Sequence, residues 1–182
     1  MGLRLITPPV AEPVSLAEVK ADLRIDHTDD DARLARLITE ARQSIDGPRT
    51  SFMRSLMPQT WELVLDGYPI SEIRLPTAPV ASITSIKYDD ADGVEQTIAA
   101  EDYYLDEASE PPWVLPAATG WPVGTLAAVN AVRIRFVAGY ANADVVPGDI
   151  KGPIRLKVQQ AYDGTDTSKA VEGLISQWRL FL

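Results

Sequence analysis

The order Thr7-Pro8-Pro9, Glu12-Pro13-Val14-Ser15-Leu16-Ala17-Glu18, Asp29-Asp30-Asp31 and Gln59-Thr60-Trp61-Glu62-Leu63 decides how this chain of 182 residues is read. Ser15 with Glu18 three residues on is a capping box, in which each residue satisfies a backbone or side-chain donor of the other. Pro13 lies upstream, where its missing N–H does no harm. Leu16, Val19 and Leu23 then recur at helical spacing. The segment from Ile25 to Thr28 breaks that pattern. Asp29, Asp30 and Asp31 predict a second helix start, as N-cap and as favourable charge at the positive end of the helix dipole. Leu34, Leu37, Ile38, Ala41 and Ile45 form the stripe of that helix, and Gly47-Pro48 is expected to stop it. Residues 15–54 thus read as helical.

Working outward, the next stretch changes period. Trp61, Leu63 and Leu65 alternate with Glu62, Val64 and Asp66, which predicts a strand. Ile73 to Leu75, Ile83 to Tyr88, Tyr103 to Leu105 and Trp113 to Leu115 read as further short strands. Asp89-Asp90-Ala91-Asp92-Gly93 reads as a hairpin turn, with Val94 to Ile98 returning from it. In the cleanest strand, Val132 to Val137, the residues Val132, Ile134 and Phe136 oppose Arg133, Arg135 and Val137. Short strands punctuated by Pro and Gly suggest a small sandwich or barrel-like sheet.

Helical spacing returns near the end. Pro153 belongs in a first turn, so a helix is expected to begin between Asp149 and Gly152. Ile154, Val158, Ala161 and Tyr162 would make its face, and Asp163-Gly164 would end it. Thr167 or Ser168 caps a last helix carrying Val171, Leu174, Ile175 and Trp178. The expected fold class is α+β: a helical bundle from the N- and C-terminal helices, with an inserted small antiparallel β lobe. The corresponding division is 1–57 for the N-terminal helical part, 58–140 for the β lobe, and 141–182 for C-terminal helices that form one unit with 1–57.

Composition narrows the function. With no cysteine, disulfides and thiolate metal sites are excluded. The opening Met1 to Pro8 is too short and too soon broken by proline for a signal peptide. No apolar run reaches the ~18 residues of a membrane span. The net charge is −9, and residues 58–140 hold nearly all of it, with twelve Asp/Glu against four Lys/Arg. Such a segment lacks the basic surface that phosphate neutralisation needs. It serves solubility, or it forms a surface that DNA passes without adhering.

Candidate chemistry is thin. The one histidine, His27, lies in the break between two helices, and no Gly-x-Ser-x-Gly elbow accompanies it. Asp90 and Asp92 fit the first and third positions of a calcium loop, but Val94 takes the fifth and the glycine needed at the sixth is missing, so a hairpin turn accounts for them better. Glu101, Asp102, Asp106, Glu107 and Glu110 could supply paired carboxylates for glycoside chemistry. Trp61, Trp113 and Trp121 could face a sugar or fill a core. No phosphate-binding glycine loop or zinc spacing occurs. No catalytic, metal-binding or cofactor-binding residue is assigned, and no enzyme is expected. The C-terminus stands apart: Trp178, Leu180, Phe181 and Leu182 are large apolar groups at a chain end, where they either dock on the chain's own helices or insert into a partner.

The ordered set of Thr7-Pro8-Pro9, Glu12 to Lys20, Leu23-Arg24-Ile25-Asp26, the triple aspartate and Gln59-Thr60-Trp61 resembles the head–tail connector (adaptor) family of long-tailed phages, prophages and gene transfer agents. Leu75-Pro76, Val80 to Ile86, Tyr88 to Gly93 and Phe136-Val137-Ala138-Gly139-Tyr140 extend the resemblance, which covers residues 3–162. The chain departs from that pattern at Gly152-Pro153 and at Gly47-Pro48-Arg49-Thr50-Ser51, where a small Gly-Thr turn is usual. The resemblance implies a structural protein that forms a twelve-subunit ring under the portal, extends the DNA channel and links the capsid vertex to the neck and tail. It implies as partners the portal protein, a stopper or tail-completion protein and further copies of the chain in a ring, with DNA passing through the channel without specific binding and no membrane. It implies a location at the head–tail interface of a virion or gene-transfer-agent particle, after synthesis in the bacterial cytoplasm. Carried onto this chain, portal binding falls on Trp178, Arg179, Leu180, Phe181 and Leu182. The alternatives are a carbohydrate-binding or glycan-hydrolysing β module, and another neck protein such as a stopper or tail terminator.

Overall fold

The computed structural model describes residues 2–50, 52–69, 72–117, 120–121 and 126–180. It is an α+β fold with two compact units. One contains residues 9–57 and 140–180 and is helical; the other contains residues 2–8 and 58–139 and is built of strands.

The helical unit begins at α1 (Leu16–Leu23), with the full capping box: Glu18 Oε2 accepts from the Ser15 N–H at 2.7 Å, and Ser15 Oγ accepts from the Glu18 N–H at 3.2 Å. α2 (Asp31–Gln43) buries Leu34, Leu37, Ile38 and Ala41, as the stripe predicts. It ends before Gly47-Pro48, and Ile45 is buried beyond its last turn. Asp30 is the N-cap residue by position but makes no side-chain cap bond. Its backbone, at φ −97° and ψ 1°, lacks the extended geometry that turns an N-cap oxygen onto the first turn. The Asp30 carboxylate instead accepts from the Tyr162 hydroxyl at 2.7 Å, and Asp31 accepts from Lys20 Nζ at 2.6 Å.

α3 (Gly148–Asp163) starts one residue before the expected range, so Pro153 lies in its second turn. The missing N–H falls opposite the carbonyl of Asp149, an exposed residue that water can reach. Ile150, Pro153, Ile154 and Val158 are buried, whereas Ala161 is exposed. Gly164 at φ +81° closes the helix in the left-handed region, where a side chain would be strained. α4 (Ser168–Trp178) buries Val171 and Ile175. Thr167 precedes it without capping, because its Oγ1 donates to the Leu156 carbonyl at 3.0 Å; Asp166 accepts the Ser168 N–H in its place. Gly152 lets α4 approach closely, since a Cβ there would meet Leu174 Cδ1 at 3.2 Å.

The strand unit holds a five-stranded antiparallel sheet in the order β1-β2-β8-β4-β5 and a three-stranded sheet in the order β3-β7-β6. The strands are β1 (Gly2–Thr7), β2 (Gln59–Leu65), β3 (Ile73–Arg74), β4 (Val80–Asp89), β5 (Glu95–Ile98), β6 (Tyr103–Asp106), β7 (Trp113–Pro116) and β8 (Val132–Ala138). β1 has no counterpart in the sequence reading; it pairs with β2, Leu3 opposite Leu63 and Arg4 opposite Glu62. β8 is the central strand, and its Val132, Ile134 and Phe136 are fully buried. They pack with Leu63, Ile86, Ile73 and Val114 in a core that both sheets share.

Candidate functional site: the C-terminal segment and the charged sheet

The C-terminal segment is fastened to the helical unit. α4 ends at Trp178, and Arg179 turns to extended backbone at φ −60° and ψ 129°. The Trp178 carbonyl, one of the four that a helix leaves without an internal donor, accepts from Arg54 Nε at 2.6 Å. The Arg54 guanidinium also lies over the Trp178 ring, 5.7 Å from its centroid. Two residues on, the Leu180 N–H donates to the Phe52 carbonyl at 3.3 Å, and Leu180 is only 3% exposed. Of the residues that the family resemblance assigns to portal binding, Trp178 is half-buried, Arg179 is exposed and Leu180 is buried. Phe181 and Leu182 lie outside the described residues.

The loop that receives this segment is itself held from the opening stretch of the chain. Glu12 Oε2 accepts from Arg42 Nε at 2.7 Å, and Arg42 Nη1 donates to Asp46 Oδ2 at 2.9 Å. The other Asp46 oxygen accepts the Leu56 N–H at 2.9 Å. The Gly47 N–H donates to the Arg54 carbonyl at 2.6 Å, which closes the loop. Met53 sits within it at φ +57°, a conformation uncommon for a side-chain-bearing residue. Arg42 and Asp46 stand at i,i+4, but Glu12 is thirty residues from Arg42 and Leu56 ten from Asp46, beyond what local spacing shows, and Arg54 was not singled out by it.

The strand unit carries ordered charge. Arg4, Glu62 and Arg135 stand opposite one another across β1, β2 and β8. Glu62, with its side chain 9% exposed, accepts from Arg135 Nη2 at 2.8 Å and lies 3.7 Å from Arg4 Nη1. Arg133 donates to both Asp89 oxygens and to Glu95, which also accepts from Lys87 at 2.7 Å. Arg133 thereby holds the Asp89 carboxyl below its usual range, and Lys87 does the same for Glu95.

Among the candidate carboxylates, Asp90 and Asp106 fasten their own turns. Asp90 accepts the Val94 and Asp92 N–H groups of its own hairpin, which lowers its pKa, and Gly93 at φ +77° completes the turn. Asp106 folds onto its loop, accepting from Ser109 Oγ at 2.6 Å and from the Ser109 and Ala108 N–H groups; these bonds, Ser109 foremost, depress its pKa. Glu101, Asp102, Glu107 and Glu110 are exposed. Among the described residues, no group of three or more His, Cys, Asp or Glu could hold a metal ion. His27 is exposed, and its carbonyl accepts from Lys20 Nζ.

The tryptophans are covered. Trp61 and Trp121 are buried, and Trp121 stacks on Tyr68 with centroids 5.2 Å apart. Trp113 is half-buried with Arg74 over its ring. These faces give a sugar ring no open aromatic platform. No helix among the described residues is long and apolar enough to cross a membrane.

Residues 13–100 match the family described as Phage gp6-like head-tail connector protein. No curated protein sequence matches the chain. Among solved structures, it is similar to a chain in the neck of an empty gene transfer agent particle computed with C6 symmetry, at 26% identity and a TM-score of 0.80, covering 100% of this chain and 97% of that one. The same identity, TM-score and coverage are found for chains in the neck of the native particle computed with C12 symmetry and in the native virion.

Proposed function

We infer that this chain, which carries the head–tail connector signature over residues 13–100 and the fold of a gene-transfer-agent neck protein over its whole length, works as a structural head–tail connector. The observation that carries the reading is the conjunction of the two: the family match runs from α1 through β5, and the structural likeness extends it through α4. In the proposed assembly, twelve copies form a closed ring beneath the portal, extend the DNA channel and offer a platform to a stopper or tail-completion protein. Such a ring needs two different faces on each copy, joined heterologously. The C-terminal segment from Trp178 makes the portal contact, with Arg179 its exposed member among the described residues.

The role is mechanical rather than catalytic. The carboxylates with the clearest partners are structural: they pair with arginine or lysine or fasten turns. Between residues 58 and 140 twelve Asp/Glu stand against four Lys/Arg, so the strand unit is negative at neutral pH, where carboxylates are ionised. A surface of that sign lets DNA pass without phosphate contacts. Deleting the gene is expected to leave filled heads and separate tails in the lysate. Joined particles in the deletion strain would overturn the reading.

A further inference from the structure

We propose that the Phe52–Arg54 loop is a latch: it holds the C-terminal segment against the chain's own helical unit, and the segment reaches its partner only when the latch opens. The proposal rests on the reading that this segment contacts the portal. Its physical basis is the clustering of fastenings on two residues of one loop, Phe52 and Arg54. Arg54, 4% exposed, directs its Nε to the Trp178 carbonyl and its guanidinium plane to the Trp178 ring. A cation at this place also complements the negative end of α4. Phe52, fully buried, gives its carbonyl to the Leu180 N–H. Met53 between them adopts φ +57°, a strained conformation of the kind that clusters at switch regions.

Among the described residues the fastening includes a charge-assisted hydrogen bond, a cation–π contact, a backbone hydrogen bond and the burial of Leu180. Hydrogen bonds and buried aromatic or aliphatic side chains are contacts that a protein interface also offers. The loop is anchored independently of the segment, through Asp46, Leu56 and Gly47, so it can remain in place when the segment leaves. The closed state hides Leu180 and half of Trp178 until a partner competes for them.

The test compares Arg54→Ala and Arg54→Lys with the unaltered chain, using hydrogen exchange across residues 176–180 and the rate of association with purified portal protein. Arg54→Ala is expected to speed exchange at the Leu180 amide roughly tenfold, as for losing one hydrogen bond to a charged group. Amides of β8 should not change, and portal association should quicken. Arg54→Lys, which keeps the cation, should fall between and serves if the alanine variant does not fold. Unchanged exchange at residues 178–180 in both variants overturns the latch. Faster exchange with unchanged or slower association overturns its regulatory role. Faster exchange when no form of the chain binds portal, the unaltered one included, supports the closing contact and overturns the portal reading instead.

Discussion

Arg42 Nη1 and Asp46 Oδ2 lie 2.9 Å apart at the end of α2, with the Asp46 side chain 3% exposed and that of Arg42 8% exposed. Glu12 completes the arrangement from the opening stretch. Removing one member of a buried pair leaves the other charge without compensation, which is far costlier than never having buried the pair. Arg42→Ala is therefore expected to lower unfolding free energy by about 3 kcal/mol. Glu12→Ala, at a site 28% exposed, should cost about 1 kcal/mol. Urea unfolding measures both, and equal effects would contradict this ranking.

Glu62 offers a second contrast on the sheet. It bonds the Arg135 guanidinium, whose Nε is buried without a partner. Glu62→Ala strips that guanidinium of its bonded carboxylate and should cost about 2 kcal/mol. Arg4→Ala removes only the longer contact from a side chain 64% exposed, and should stay within about 0.5 kcal/mol. If Arg4→Ala proves the more damaging, the row is held from its edge rather than from β8.

Acid sensitivity follows from the depressed carboxylates. Glu18, bonded by the Ser15 backbone and hydroxyl, together with Asp89, Glu95 and Asp106, has a folded pKa below its unfolded one. Each contributes stability that is present above the unfolded carboxylate range and is lost as pH falls through the folded value. The melting temperature should be level from pH 7 to about 5 and decline below about 4. Ser15→Ala should lessen the Glu18 share of that decline and cost about 1 kcal/mol at neutral pH. A decline that begins above pH 6 would point to a different titrating group.

What could be read from the sequence was what local spacing decides. Ser15 and Glu18 cap each other within one turn, Gly164 ends α3, and Asp90 with Gly93 builds its own hairpin. β8 alternates cleanly because one of its faces is core. The departures are places where a distant partner prevails. Asp30 turns from the helix it precedes toward Tyr162, Thr167 bonds back to α3, and β1 is stabilised by a strand more than fifty residues away. The grip of Arg54 on Trp178 spans 124 residues, so the apolar end of the chain was legible while its seat was not.

Truncation separates the two roles open to that end. Removing residues 179–182 deletes Leu180, whose burial is worth about 2 kcal/mol. The shortened chain should keep its far-ultraviolet spectrum, melt roughly 4–8 °C lower and no longer associate with portal. A shortened chain that unfolds would make the segment part of the core. Association that persists would place the portal contact elsewhere on the chain.

The most direct measurement is electron microscopy of the purified chain mixed with purified portal protein. The account predicts a ring of this chain on one end of the portal, with twelve copies resolved by symmetry-free averaging and each C-terminal segment directed at the portal. A portal that stays bare at saturating concentration would contradict it, as would copies bound singly or away from the channel axis.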